Sequence, residues 1–259
     1  MTPLSATLAL DTKRCGGKAA ALARATAAGL PVPAGVVLSV EEVDAIVAGA
    51  HNHRLLEEIL EAFPDCALAV RSSAIGEDSE KHSFAGQYTS VLGVRGKDSL
   101  RQAILAIERS SHSAAAASYR ARHGSVTPPK LAVVIQALLA SEIAGVLFTR
   151  NPSTGENERV IEAGRGLGDA VVGGEITPDR YRVARGGTLL EHTPGEHPIE
   201  LSEAQLLALD RLATDCEALF GGNQDLEWAF VGDRLYLLQC RPISRPISRP
   251  ITGRAGGGQ

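Results

Sequence analysis

The sequence predicts an α+β protein, long enough for one large domain or two lobes. Two patterns carry that reading: short β-rich runs and helix-like stretches are interleaved along the chain, and near the C-terminal end two β-rich runs follow one another across a tight turn. Composition is the third observation. With 259 residues, 44% of them hydrophobic and 22% charged, the chain can bury a substantial core beneath an ordinary surface. A formal charge of −4 argues against nucleic acid as the main partner, so any basic site is local. Cys15, Cys66, Cys216 and Cys240 form no C-x-x-C pair, which suggests neither a zinc site nor a disulfide framework but reduced thiols. The N-terminus has no basic segment followed by a long apolar run, and no stretch reaches the roughly 18 apolar residues of a membrane span. A cytoplasmic location without membrane contact is expected.

The elements follow in order. Ala19 to Ala28 is dense in Ala, Leu and Arg, and Gly29, Pro31 and Pro33 close it as a helix. Gly16-Gly17 leaves room for a tight turn that sets Lys18 at the helix N-terminus. A cation there opposes the helix dipole, so Lys18 reads either as a solvated side chain or, with the exposed amides, as a ligand for an anion. Residues 40–48 and 55–63 are helix-like. Ala67-Leu68-Ala69-Val70 is a strand ending in Arg71, residues 88–94 are a second strand, and the connection between them has the tip Ser83-Phe84-Ala85-Gly86-Gln87. Small residues there let the backbone approach a ligand, and the aromatic can pin the loop. Arg71 supplies a planar donor suited to phosphate oxygens, the alternative being a surface hairpin with a structural arginine.

Residues 99–122 read as a long helix stopped by Gly124 and Pro128-Pro129. Leu131 to Leu139 is a nearly continuous apolar run, hence a buried strand, interrupted by Gln136. Strands at 143–149 and 159–163 flank the turn Asn151 to Gly155. The run Gly164-Arg165-Gly166-Leu167-Gly168-Asp169 has G-x-G-x-G spacing with no long helix after it, which rules out a dinucleotide fingerprint. Ser202 to Phe220 is an amphipathic helix with Ser202 as N-cap and Leu206, Leu209, Leu212 and Leu219 on one side.

The last two strands, 225–230 and 234–242, carry the most chemistry. Alternation puts Asp225 and Glu227 on one face and Gln239 and Arg241 on one face. A two-residue loop at Gly232-Asp233 would pair Glu227 with Leu238 and set Gln239 on the opposite side. A three-residue loop, Val231 to Asp233, pairs Asp225 with Gln239 and gathers all four polar side chains; it is the expected one. Two carboxylates and an amide oxygen make a hard-oxygen site suited to magnesium, against the alternative of a solvent-facing strand. The repeats RPIS, RPIS, RPIT and the ending GRAGGGQ predict a Pro/Gly-rich irregular tail over 243–259.

Five of these stretches resemble, in the same order, the nucleotide-binding part of the phosphoenolpyruvate synthase and pyruvate phosphate dikinase family, which also includes rifampicin phosphotransferase. They are Gly16-Gly17-Lys18 with Leu22; VRSSA, ED and SFAGQ from Val70 to Gln87; the apolar run ending at Leu139; the run from Ile161 to Tyr181, similar to the family's GLGE-x-VV-x-G-x-x-x-PD with Asp169 in place of Glu; and D-x-E-W followed by Q-x-R-P. The resemblance implies a two-lobed ATP-grasp fold over residues 1–242, with lobes of about 1–135 and 136–242 and the nucleotide between them. Region 36–66 is shorter than the family leads one to expect.

The cofactors implied are ATP and Mg2+. Lys18, Arg71 and Arg241 would surround the phosphates as the catalytic set. Glu227 and Gln239, assisted by Asp225, would hold the metal. Ser83, Phe84, Ala85, Gly86 and Gln87 would close over the site, and adenine would lie beside Gln136, Ala137, Leu138 and Leu139, Leu138 standing where a Met is common. The implied reaction is of dikinase type: ATP gives AMP, the β-phosphoryl passes to a histidine and the γ-phosphoryl to water or phosphate. None of the seven histidines lies in a recognisable acceptor motif, so the expected acceptor is a histidine on a separate partner protein. The alternatives are a direct small-molecule kinase and an ATP-binding subunit without turnover.

Overall fold

The computed structural model describes residues 1–49, 53–75, 78–79, 82–83, 90–112, 130–168, 171, 173–174 and 176–243. The elements are β1 (Thr2–Pro3), a 3-10 turn (Thr7–Leu10), α1 (Thr12–Ala27), β2 (Gly35–Leu38), α2 (Val40–Val47), α3 (His53–Ala62), β3 (Leu68–Ala74), β4 (Asp78–Ser79), β5 (His82–Ser83), β6 (Ser90–Val94), α4 (Lys97–Ser111), β7 (Leu131–Ala137), β8 (Ile143–Phe148), β9 (Glu158–Arg165), β10 (Asp179–Ala184), β11 (Leu189–Thr193), α5 (Glu203–Phe220), β12 (Gln224–Val231) and β13 (Arg234–Pro242). They build a five-stranded sheet, β1-β2-β7-β3-β6, and a six-stranded sheet, β11-β10-β9-β8-β12-β13, each with antiparallel neighbours. The class is α+β.

The apolar run of β7 is continuous because both of its faces are covered. Leu131, Val133 and Ile135 pack with Val36, Leu38 and Val70 against Val43, Ile59, Ile104 and Ile107 of α2, α3 and α4. Ala132 and Val134 face Ala19, Leu22 and Ala23 of α1. The second sheet sets Leu147, Ile161, Tyr181, Trp228 and Leu237 against Leu206, Leu209, Leu212 and Cys216 of α5. Helix α1 serves both cores: Ala25, near its end, belongs to the second one, Arg24 Nη2 donates to Leu219 O at 2.9 Å, and Leu237 N donates to Pro31 O at 2.9 Å.

Several expectations need adjusting. The first helix starts at Thr12, seven residues before Ala19, because Asp11 caps it by accepting from Lys13 N at 2.9 Å; it is kinked at Gly16, φ 78°. Strand β3 runs on past Arg71 to Ala74. Helix α4 is described to Ser111, and the rest of the anticipated 99–122 helix lies outside the described residues. Strands β10 and β11 form a hairpin that was not anticipated. Helix α5 begins as predicted, with a capping box between Ser202 and Gln205.

The turn between β12 and β13 differs too. Val231 pairs with Arg234, so the loop is the two-residue Gly232-Asp233 and not the three-residue one. Yet the four polar residues still share a face, because a β-bulge at Leu238 restores the alternation: Glu227 pairs with Gln239, Asp225 with Arg241, and Trp228 with Leu237.

One charged cluster is structural. Arg159 on β9 is fully buried; its Nε donates to Asp210 at 2.9 Å, Nη1 lies 2.7 Å from Thr149 O and 3.0 Å from Glu217, and Nη2 reaches Thr214 at 2.8 Å. It fastens the second sheet to α5. The four cysteines are free thiols, and among the described residues no helix is long and apolar enough to cross a membrane.

Candidate functional site

The site forms where three elements from distant parts of the chain meet. Arg71 leaves β3 toward the second sheet, and its guanidinium is held there from three sides. Nη1 donates to Leu238 O at 2.6 Å; Nη2 donates to Gln239 Oε1 at 3.2 Å and pairs with the Glu227 carboxylate. The Leu238 carbonyl is available because that residue is the bulge in β13, turned out of the strand ladder. On the neighbouring register pair, Arg241 Nε donates to Asp225 Oδ2 at 2.8 Å.

Glu227 is the electrostatic centre. Burial by itself would raise its carboxyl above the ordinary value, but the positive charges of Arg71, Lys18 and Arg241, in that order, hold it below. Lys18, from α1, therefore stands close enough for its charge to act on a carboxylate 209 positions further along. Three cations and two carboxylates, Asp225 and Glu227, thus occupy one region between the two sheets.

Lys18 reaches this place through the kink in α1. Gly16, at φ 78° and ψ 170°, interrupts the helix, and a new first turn follows that contains Lys18. A left-handed φ of this kind favours glycine. The short turn anticipated at Gly16-Gly17 is present, embedded in a longer helix.

The remaining candidate residues divide. Gln136 lies in β7, an interior strand between β2 and β3, and its buried side-chain amide donates to Pro33 O at 3.1 Å. That amide is engaged with the scaffold. The Leu138 N–H is engaged as well, donating to Ala67 O at 2.8 Å. Ala137, Leu138 and Leu139 are half-buried where the chain passes from the first sheet to the second. Of the loop tip, Ser83 is described only through its backbone in β5, and Phe84, Ala85, Gly86 and Gln87 lie outside the described residues, as do Asp169 and the tail from 244 to 259.

The donor set suits a hard cation that brings further ligands with it. Glu227 and Gln239 face each other across the hairpin, with Asp225 on the same face. Among the described residues no group of three His, Cys, Asp or Glu side chains forms a complete metal cage. Magnesium asks for just one or two carboxylates and takes the rest of its shell from phosphates and water.

Sequence reasoning missed two contributors. One is the Leu238 carbonyl, since a bulge leaves no mark in residue type. The other is Ser73, whose hydroxyl is bonded to both sides of the α1 kink. Its place two residues after Arg71, on the same face of β3, was the available signal.

Comparison with known proteins bears on what this site handles. Residues 45–199 and 186–249 match the family described as pyruvate phosphate dikinase, AMP/ATP-binding domain. A probable phosphoenolpyruvate synthase of Methanothermobacter thermautotrophicus is 31% identical over 303 residues, covering 90% of this chain and 44% of its own. That alignment is longer than the 259-residue chain, so the relative carries segments this chain lacks. The prodigiosin synthesizing transferase PigC of Serratia marcescens is 32% identical over 93% of this chain and 33% of its own, and the rifampicin phosphotransferase of Bacillus cereus 36% identical over 81% and 26%. The chain thus spans less than half the length of these relatives. Among solved structures, a D-alanine–D-alanine ligase from Bacillus anthracis matches at a TM-score of 0.46 and 11% identity, covering 90% of this chain and 59% of its own.

Proposed function

Because the chain belongs to the pyruvate phosphate dikinase AMP/ATP-binding domain family, we propose that it binds ATP with magnesium between its two sheets in the ATP-grasp manner and acts as an ATP-dependent phosphotransferase. The nucleotide would lie between a first lobe of about residues 1–135 and a second of about 136–242. The observation that carries this reading is the convergence on Glu227: Arg71 from the first sheet bonds it, and the charges of Lys18 and Arg241 act on it. Three cations gathered beside two carboxylates suit a polyphosphate that arrives with its metal.

Phosphoryl transfer asks for charge neutralisation and in-line positioning rather than covalent chemistry from the protein. Arg71 offers a planar fork, fixed at its base by β3, that matches phosphate oxygens, and Lys18 offers a compact charge at the start of a helix. Glu227 and Gln239, with Asp225, would hold magnesium, which supplies charge neutralisation at the phosphates when bound. Arg71 is paired with Glu227 and Arg241 with Asp225, so the groups that would bind phosphate lie beside those that would hold the metal. Gln239, half of whose hydrogen-bonding capacity is an amide oxygen, can accept from Arg71 or from a metal without a change of charge.

The reaction we infer is of dikinase type, in the cytoplasm: ATP gives AMP, the β-phosphoryl passes to a histidine on a separate partner, and the γ-phosphoryl passes to water or phosphate. Support for the second reading, direct phosphorylation of a small acceptor, comes from the rifampicin phosphotransferase match. Purified protein incubated with ATP and magnesium, with and without candidate acceptors, and analysed for AMP against ADP, tests both. AMP that appears only with a histidine-bearing partner is the expected result. ADP with a small acceptor moves the assignment to the second reading, and failure to bind adenine nucleotides at all overturns the proposal.

A further inference from the structure

We infer that Ser73 is the positioning residue for Lys18: its hydroxyl serves as the N-cap of the helix that carries the lysine, supplied from another part of the chain. This rests on the proposed nucleotide site and names the group that sets two of its cations at a fixed spacing.

A helix that begins at a glycine pair has no side chain of its own to satisfy the first free N–H groups. At the kink in α1 that role falls to β3. Ser73 Oγ accepts from Ala19 N at 3.0 Å, on the far side of the kink, and donates to Cys15 O at 2.7 Å, on the near side. Both hydrogen-bonding functions of one fully buried hydroxyl therefore join the two halves of the bent helix. The fit leaves no slack. A Cβ on Gly16 would stand 2.3 Å from Ser73 O and 2.4 Å from Ser73 Oγ, so the close approach needs glycine for steric reasons as well as for its φ of +78°.

The consequence for the site follows from strand geometry. Arg71 and Ser73 project from the same face of β3, two residues apart, one to the phosphate region and one to the helix start. Lys18 lies between the Cys15 carbonyl and the Ala19 N–H that Ser73 holds, one residue before Ala19. A single strand thus fixes both the guanidinium and, through the cap, the ammonium, and the two bear on the same carboxylate of Glu227. Ser72, the other serine of the pair, points to the opposite face and the helix layer, so the two adjacent serines are not interchangeable.

The test is a double-mutant cycle between Ser73→Ala and Lys18→Ala, read by calorimetric affinity for ATP with magnesium, together with amide hydrogen exchange over residues 15–22. Ser73→Ala should weaken nucleotide binding by about tenfold, in line with the loss of an N-cap, and accelerate exchange at Ala19 by a similar factor. In the Lys18→Ala background it should weaken binding no further, because the group it positions is gone. Ser73→Thr, which keeps the hydroxyl, should restore the slow exchange at Ala19. Equal losses in both backgrounds would make Ser73 a general structural residue and overturn the assignment, as would unchanged exchange at Ala19. If wild-type protein binds no adenine nucleotide, the nucleotide reading falls while the exchange data still decide whether Ser73 caps the helix.

Discussion

Replacing Arg71 by alanine should damage both stability and phosphoryl chemistry, and the structure sets the scale of each. The side chain is 12% exposed and its partner Glu227 is 15% exposed, so the pair is largely withdrawn from water. Removing one member of a buried pair typically costs about 3–5 kcal/mol, chiefly because the other charge is left uncompensated. Here Lys18 and Arg241 still act on the Glu227 carboxylate, and some solvent reaches it, which reduces the expected loss to about 2 kcal/mol. The Leu238 carbonyl and the Gln239 amide oxygen lose a donor as well; Leu238 is half-buried, so water can replace the guanidinium at its carbonyl.

Urea unfolding of wild type, Arg71→Ala and Arg71→Lys measures this directly. The lysine variant keeps the charge and loses the fork, so it should recover part of the stability and little of the turnover, with Arg71→Ala lowering turnover by about 100-fold or more. An alanine variant within about 0.5 kcal/mol of wild type would mean that the pair behaves as an exposed one. A fully active lysine variant would mean that no planar donor is needed, and either result refutes the reasoning.

Two further outcomes test the second sheet. Arg159→Ala should destabilise the protein by about 3–5 kcal/mol in thermal or urea unfolding, since it leaves the buried Asp210 without its guanidinium and Glu217 with Arg185 alone; an effect under 1 kcal/mol would contradict the buried network. Glu217 should contribute to acid sensitivity: burial tends to raise its carboxyl, but hydrogen bonds from Arg185 and Arg159 hold it below 4.5. A depressed carboxyl stabilises the fold above its unfolded value and loses that contribution as pH falls through the folded value. Glu217→Gln should therefore be less stable at neutral pH, with a shallower fall in unfolding midpoint between about pH 5 and pH 3. A parallel fall in both proteins would remove Glu217 from this account.

Most strands and helices were legible because their patterns are local. The apolar run at 131–137, the leucine stripe and capping box of α5, and the alternation in β12 each depend on residues a few positions apart. The β10–β11 hairpin was missed although its pattern is local as well: Tyr181 and Val183 alternate toward the core, and Gly186-Gly187, both at positive φ, make the turn. Pro178, which has no N–H to give a ladder, stands directly before the strand that starts at Asp179 and masks its beginning. The site was legible as a set of residue types, Lys18, Arg71, Asp225, Glu227, Gln239 and Arg241, but its contacts were not. Those contacts span separations such as the 156 positions from Arg71 to Glu227, which no periodicity encodes. Gln136 shows the opposite case, since a polar residue in an apolar strand invites a ligand-binding reading while its amide is bonded to Pro33.

The last hairpin shows why the difference between a bulge and a longer loop matters for function. A three-residue loop would also have gathered four polar side chains on one face, but with Asp225 opposite Gln239 and Glu227 opposite Leu237. One guanidinium could not then have reached the carboxylate of Glu227 and the amide of Gln239 as direct cross-strand neighbours. The observed two-residue loop with a bulge at Leu238 sets Glu227 against Gln239 and also turns out the Leu238 carbonyl, so that Arg71 meets three oxygen acceptors within one fork. The irregularity lies in β13, opposite the arginine, and not at the turn, where it would have left the ladder intact beside the site. Register in this hairpin is therefore matched to a side chain from the other sheet, which ties the spacing of the two sheets to the residues that would hold the metal and the phosphates.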